Sequence, residues 1–153
     1  MATTVQTCLW FDQTALEAAE AYVALLPDSR ITHVFPHRGG SGGAFLVQLE
    51  LLGQRYFFLN GGPHYKLTPA ASIAVHLDDQ AEVDRLWEAL LDGGTASRCG
   101  WLVDRFGVSW QIIPGALIRL MATEDEAEAQ RVMAAMMAMI KLDGPALEAA
   151  ARG

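Results

Sequence analysis

Few side chains in this sequence can make or break bonds, and they are widely spread. There are two cysteines, Cys8 and Cys99, and four histidines, His33, His37, His64 and His76. A thiolate nucleophile needs a neighbouring base or a positive field to lower its pKa. Arg105 and His76 are the candidates for that service, although inert buried cysteines are the commoner arrangement and the one favoured for both thiols. Glu50 and His76 are the candidate catalytic groups, offering general acid/base chemistry if burial moves a pKa toward neutrality. No Ser-His-Asp order with a nucleophile elbow is present. Two cysteines without a pair of CxxC motifs exclude a disulfide framework and a zinc cluster. His64 and Lys66 follow the turn Asn60-Gly61-Gly62-Pro63 and read as solvated groups, or as guards of a pocket mouth.

Hydropathy periodicity gives the elements that must position these groups. Val5 to Phe11 predicts a strand, and Thr14 with Glu17 predicts a capping box opening a helix. Leu16, Ala19, Val23 and Leu26 recur at helical spacing until Pro27-Asp28. Ile31 to Phe35 predicts a second strand, and the glycine-rich turn Gly39 to Gly43 leads to alternating Phe45, Val47, Leu49 and Leu51. Arg55 to Leu59 closes this first set. The cycle restarts with Ser72 to Leu77, a helix capped by Asp79 with a stripe of Val83, Leu86, Trp87 and Leu90, and strands at Trp101 to Asp104 and Val108 to Ile113. Ala24-Leu25-Leu26 and Ala89-Leu90-Leu91 end the two helices at matching places. After Pro114 the pattern is helical: Thr123 with Glu126 predicts another capping box, and Val132, Met133, Met136, Met137 and Ile140 form an apolar stripe. That stripe packs on the domain or a second subunit, or serves as an adaptable binding surface. A last short helix begins near Pro145.

A chain of 153 residues, 52% hydrophobic and 19% charged, has the composition of one globular domain spanning residues 1–153. A net charge of -7 and a pI near 4.9 argue against a nucleic-acid surface and against attraction to anionic lipid. No apolar run approaches the roughly 20 residues that span a bilayer. The start, Met1 to Val5, has no basic and apolar leader, so a cytoplasmic protein with free thiols is expected.

Strand alternation then sorts the faces. Leu9 and Phe11 point under the helices, leaving Gln6, Cys8 and Trp10 on the opposite, inward face. Phe45, Val47, Leu49 and Leu51 likewise go under the helices, with Gln48 and Glu50 inward. Ser72, Ala74 and His76 oppose Ile73, Val75 and Leu77. Trp110 and Ile112 pack away from an inner set of Ser109, Gln111 and Ile113. The strand at Arg55 to Leu59 is apolar on both faces. Amides, a hydroxyl, a thiol, an imidazole and a carboxylate thus gather on one face, where solvent or a ligand must satisfy them.

Cys8-Leu9-Trp10-Phe11-Asp12, the turn Asn60-Gly61-Gly62-Pro63, the run Cys99 to Ile112 and the helical tail Arg131 to Arg152 resemble the PhnB-like branch of the vicinal oxygen chelate superfamily, which includes glyoxalases and bleomycin-resistance proteins. The resemblance implies an α+β fold of paired βαβββ modules, at residues 3–62 and 70–114, with a helical tail at 115–153. It also implies a concave pocket and a homodimer. Metal-dependent members resemble one another in four ligand positions, which fall here on Gln6, Phe57, Ser72 and Gln111. None is a histidine or carboxylate, so no metal and no other cofactor is expected. Some members carry a ubiquinone-pathway methyltransferase label. The glycines at 39–43 do not fit it, lacking the buried strand before and helix after that a nucleoside cofactor needs. The expected activity is metal-free binding of a small molecule by Gln6, Cys8, Trp10, Gln48, Phe57, Ser72, Trp101 and Gln111. The alternatives are an isomerase, lyase or dioxygenase acting on an oxygen-rich substrate, and a protein used mainly for its dimer surface.

Overall fold

The computed structural model describes residues 2–39 and 42–153, so two residues of the glycine-rich turn, Gly40 and Ser41, lie outside the described residues. The chain forms two compact units, 1–67 and 68–153. Among the described residues no helix is long and apolar enough to cross a membrane.

The first unit runs β1 (Thr7–Phe11), α1 (Ala15–Leu25), β2 (Arg30–Pro36), β3 (Ala44–Leu51) and β4 (Gln54–Asn60). Its sheet has the order β1-β4-β3-β2, with β1 parallel to β4 and the remaining pairs antiparallel. The predicted helix forms, but its stripe is displaced to Ala15, Ala18, Ala19, Tyr22 and Leu26. Three alanines let the helix axis come close to the sheet, and Tyr22 meets Phe58 edge to face at 5.8 Å. Val47, Leu49 and Phe58 complete this core. The β3–β4 turn is Leu52-Gly53, both at positive φ (48° and 82°), as a two-residue hairpin requires.

The predicted Thr14 capping box is not formed. Thr14 sits at φ -104° and ψ 17° rather than in the extended conformation a capping residue needs, and its side chain makes no cap hydrogen bond. The Asn60 carboxamide replaces it from the far end of β4. Its Oδ1 accepts from the Ala15 amide at 2.9 Å, and its Nδ2 donates to the Ala44 carbonyl at 2.9 Å.

The second unit repeats the order with β5 (Ile73–Leu77), α2 (Gln80–Leu91), β6 (Thr95–Ala96), β7 (Trp101–Val103) and β8 (Ser109–Pro114), in the sheet order β5-β8-β7-β6. The two-residue β6 is too short to leave a periodic signal. Val83, Leu86, Trp87 and Leu90 are buried as predicted, together with Trp110, Ile112, Leu102 and Val75. Asp79 caps α2 through the Ala81 amide. Buried Asp104 governs the β7–β8 turn: one carboxylate oxygen accepts from the Phe106 and Val108 amides, and the other accepts from the Trp110 indole at 2.9 Å. Asp104-Arg105 therefore belongs to a structural turn, with the Arg105 guanidinium over the Phe106 ring.

The tail folds as α3 (Gly115–Met121), α4 (Glu126–Ala138) and α5 (Gly144–Arg152). Asp125, not Thr123, caps α4 by accepting from the Glu128 amide, while the Thr123 hydroxyl accepts from the Asp125 amide. Pro145 lies in the first turn of α5, as predicted. Ile113, Leu117, Leu120, Val132, Leu142 and Leu147 form the tail's core. The Gln80 side chain fastens it to α2, accepting from the Gly144 amide and donating to the Leu142 carbonyl. The methionine stripe divides: Val132 and Met136 turn inward, whereas Met133, Met137 and Ile140 are 40%, 53% and 58% exposed. The elements make up an α+β fold of two βαβββ modules, the second followed by the helical tail.

Replacing Asn60 by alanine removes the cap of α1 and leaves the Ala44 carbonyl without its partner. The expected cost is about 1–3 kcal/mol, read as a lower urea midpoint; an unchanged midpoint would show that the amide is not a pin.

Candidate functional site

Strand register sets which side chains share a face. On the face of the first sheet turned away from α1, one row holds Cys8, Phe57, Gln48 and His33, and the next holds Trp10, Leu59, Leu46 and Phe35. Four of the predicted ligand-binding residues, Cys8, Trp10, Gln48 and Phe57, are thereby neighbours on one surface. Gln6 precedes β1 and is half-buried. The ambiguous strand resolves with Tyr56 and Phe58 under α1 and Phe57 and Leu59 on the open face.

Phe45 corrects the alternation. It is 43% exposed rather than under the helix, and Ala44 is buried in its place. The cause is a bulge: Phe35 pairs with Leu46 but Pro36 pairs with Ala44, so Phe45 is an extra residue and turns outward. A second irregularity, between Ile31 and His33, brings His33 opposite Gln48.

Two cavities open beside this bulge and share Phe45 and His37. The larger, about 730 Å³, is lined by Trp10, Asp12, Gln13, Asn60 and Gly61 among others. The second, about 560 Å³, is lined by Phe35, Pro36, Arg38, Leu46 and Gln48 beside the shared pair. Trp10 is fixed in the first. Its indole donates to the Gly62 carbonyl at 2.9 Å, and Tyr65 meets it edge-on at 5.0 Å. Gly61 lies so close that a Cβ there would fall inside the Trp10 ring. Trp10 is thus a wall of the cavity, with its N–H already committed.

Glu50 lies at the other end of the sheet, where its carboxylate meets Arg30 at 2.8 Å and Arg55 at 3.7 Å. The two guanidiniums engage the carboxylate oxygens a general base would use. In the second unit, Ala74, Gln111 and Trp101 share a row. The Gln111 amide donates to the Ser72 hydroxyl at 2.9 Å. Ser109 is 2% exposed, and its hydroxyl finds no hydrogen-bond partner among the described residues. Ile113, predicted to line the inner face beside Gln111, is instead covered by the tail. His76 is exposed on β5, opposite Ile113.

The predicted site residues therefore fall into two groups, Gln6, Cys8, Trp10, Gln48, Glu50 and Phe57 in the first unit and Ser72, His76, Trp101 and Gln111 in the second. Sequence periodicity missed Phe35, His37, Arg38 and Phe45, because a bulge has no periodic signature. The glycine-rich turn after Arg38 was the only hint. Among the described residues neither thiol is hydrogen-bonded to a base: Cys99 is 3.7 Å from the Met137 sulfur, and partial burial pushes the Cys8 thiol above its ordinary value.

Comparison with known proteins follows the same lines. The sequence pattern of the family described as 3-demethylubiquinone-9 3-methyltransferase matches residues 3–113. No curated protein sequence matches the chain. Among solved structures, a putative 3-demethylubiquinone-9 3-methyltransferase, the PhnB protein of Bacillus cereus, is similar at 25% identity and a TM-score of 0.68, covering 73% of this chain and 99% of that one. A protein from Pseudomonas aeruginosa is similar at 21% identity and a TM-score of 0.60, over 71% of this chain and 95% of that one. The fosfomycin resistance protein FosX of Mesorhizobium loti shares the fold at 16% identity and a TM-score of 0.55, over 80% and 99% of the two chains.

A raised thiol pKa leaves less thiolate at any given pH. With Cys99 replaced by serine, alkylation of Cys8 by iodoacetamide near pH 8 is expected to be slower than that of free cysteine, whose pKa is about 8.5. The rate should climb only as the pH passes that value. Faster alkylation than free cysteine would instead mark Cys8 as an activated nucleophile.

Proposed function

This chain belongs to the PhnB-like family described as 3-demethylubiquinone-9 3-methyltransferase, in the vicinal oxygen chelate superfamily, and from that membership we propose a small-molecule binding protein that works without a metal. The observation that carries this reading is the pair of cavities beside Phe45. Their volumes, about 730 and 560 Å³, suit a small organic molecule; the smaller is walled mostly by Phe35, Pro36, Phe45 and Leu46, and the larger mixes Trp10, Phe45 and Leu59 with Asp12, Gln13, Asn60 and glycines.

The donor chemistry supports the metal-free part. Of the four positions where metal-dependent relatives place ligands, Phe57 has no lone pair to give, and Gln6, Ser72 and Gln111 offer only neutral side chains. Among the described residues no three His, Cys, Asp or Glu side chains are grouped so as to hold an ion. Methyl transfer from a nucleoside cofactor is disfavoured on similar grounds. The glycine-rich segment joins β2 to β3, an antiparallel pair, and opens no helix on which a cofactor could rest. Binding without turnover is preferred to acid/base catalysis because Glu50 is held by two arginines and His76 stands exposed. A cytoplasmic homodimer is part of the same proposal. The exposed Met133 and Met137 on α4, with Ile140 just beyond its end, give a second copy an apolar face to cover.

The test is a thermal melt of metal-stripped protein with stoichiometric zinc, nickel, iron(II) or manganese(II). It is paired with ligand-observed NMR on a panel of small aromatic acids and alcohols. A ligand at about 100 times its dissociation constant adds roughly 2.7 kcal/mol of stability, a shift easily seen. No cation should shift the melt, and panel members that bind should be recovered unchanged after prolonged incubation. A cation shift lost on Gln111→Ala overturns the metal-free reading, and conversion of a bound compound overturns the binder.

A further inference from the structure

The two cavities beside Phe45 differ in the charge at their rims. Both include His37, but the one against Trp10 adds Asp12, whereas the one against Phe35 adds Arg38 and no carboxylate. Arg30 and Arg55 share Glu50, Arg85 pairs with Glu82, and Arg119 pairs with Glu148. Among the described residues Arg38 makes no ion pair, nor do Arg98, Arg105, Arg131 and Arg152, but of these five Arg38 is the one that lines either cavity. Its exposed guanidinium puts a positive charge on the rim of the second cavity. Guanidinium geometry suits a carboxylate through two parallel N–H donors.

The rest of the lining sets the remainder of the ligand. Phe35 and Phe45 are both partly exposed, Pro36 and Leu46 extend the apolar wall, and Gln48 supplies a single amide. His33 stacks against Phe35 with centroids 4.2 Å apart, and His37 lies 5.3 Å from Phe45, so each aromatic wall is backed by an imidazole.

We propose that the cavity between Phe35 and Phe45 binds a small organic carboxylate, its apolar or aromatic body between those rings and its charged group on Arg38. This rests on the small-molecule-binding reading and gives its ligand a chemical class. It accounts for the bulge at Phe45: in a strand of regular alternation that ring would lie under α1, and the cavity would lose a wall.

The experiment compares 3-phenylpropionate with 3-phenylpropan-1-ol, which have the same body and differ in charge. Dissociation constants are measured by NMR titration on wild type, Arg38→Ala, Phe45→Ala and Glu20→Gln, the last an exposed α1 residue that lines neither cavity. Wild type should favour the acid at least about fivefold at low salt, and the preference should shrink as the screening length falls from about 30 to about 8 Å. Arg38→Ala should erase the preference while leaving the alcohol unaffected, Phe45→Ala should weaken both, and Glu20→Gln should change neither. Equal binding of the two compounds, or a preference that survives Arg38→Ala, overturns the carboxylate assignment and leaves the binder reading intact. Failure of both to bind overturns the assignment of this cavity, while the wider panel still decides whether the protein is a binder at all.

Discussion

The carboxamide of Asn60 is the contact on which the first unit turns. One side chain supplies the first amide of α1 with an acceptor and the first carbonyl of β3 with a donor, so the helix start, the β3 start and the β4 end meet at one point. The next two residues continue the join: the Gly61 amide donates to the Phe11 carbonyl at 2.9 Å, and the Gly62 carbonyl receives the Trp10 indole. Parallel pairing of β1 with β4 thus ends in a knot of local hydrogen bonds instead of fraying. The larger cavity is built against this knot.

The second unit solves a comparable problem with charge. Asp104 is buried with its oxygens occupied by two amides and an indole, which compensates the cost of taking a carboxylate out of water. Gln80 does the same for the tail by meeting a backbone amide and a carbonyl with the two ends of one side chain. In both units, long-range polar contacts from single side chains hold the elements, and the apolar stripes fill the space between them.

The order of strands and helices, the stripe on α2, and the open-face placement of Cys8, Trp10, Gln48 and Gln111 were legible in the sequence, because each depends on a period of two or 3.6. The start of α1 after Thr14 was legible too, but its cap was not, since the acceptor arrives from Asn60, 45 residues beyond Ala15. The start of α4 was misread by two residues because Asp125 offered a competing cap to Thr123. The cavity walls were the least legible part. Phe45 obeys alternation in the sequence and breaks it in the fold, and nothing local distinguishes a regular strand from one carrying an extra residue.

That extra residue separates two kinds of evolutionary change. Exchanging one side chain for another at Arg38, Phe35 or Phe45 alters what the cavities prefer while the architecture stays as it is. Losing the single codon for Phe45 would make the pairing of Ala44 and Leu46 with Pro36 and Phe35 regular, leave Ala44 in its buried place and remove a wall common to both cavities. Ligand preference in this scaffold can therefore drift gradually, but the presence of the cavities depends on chain length at one place.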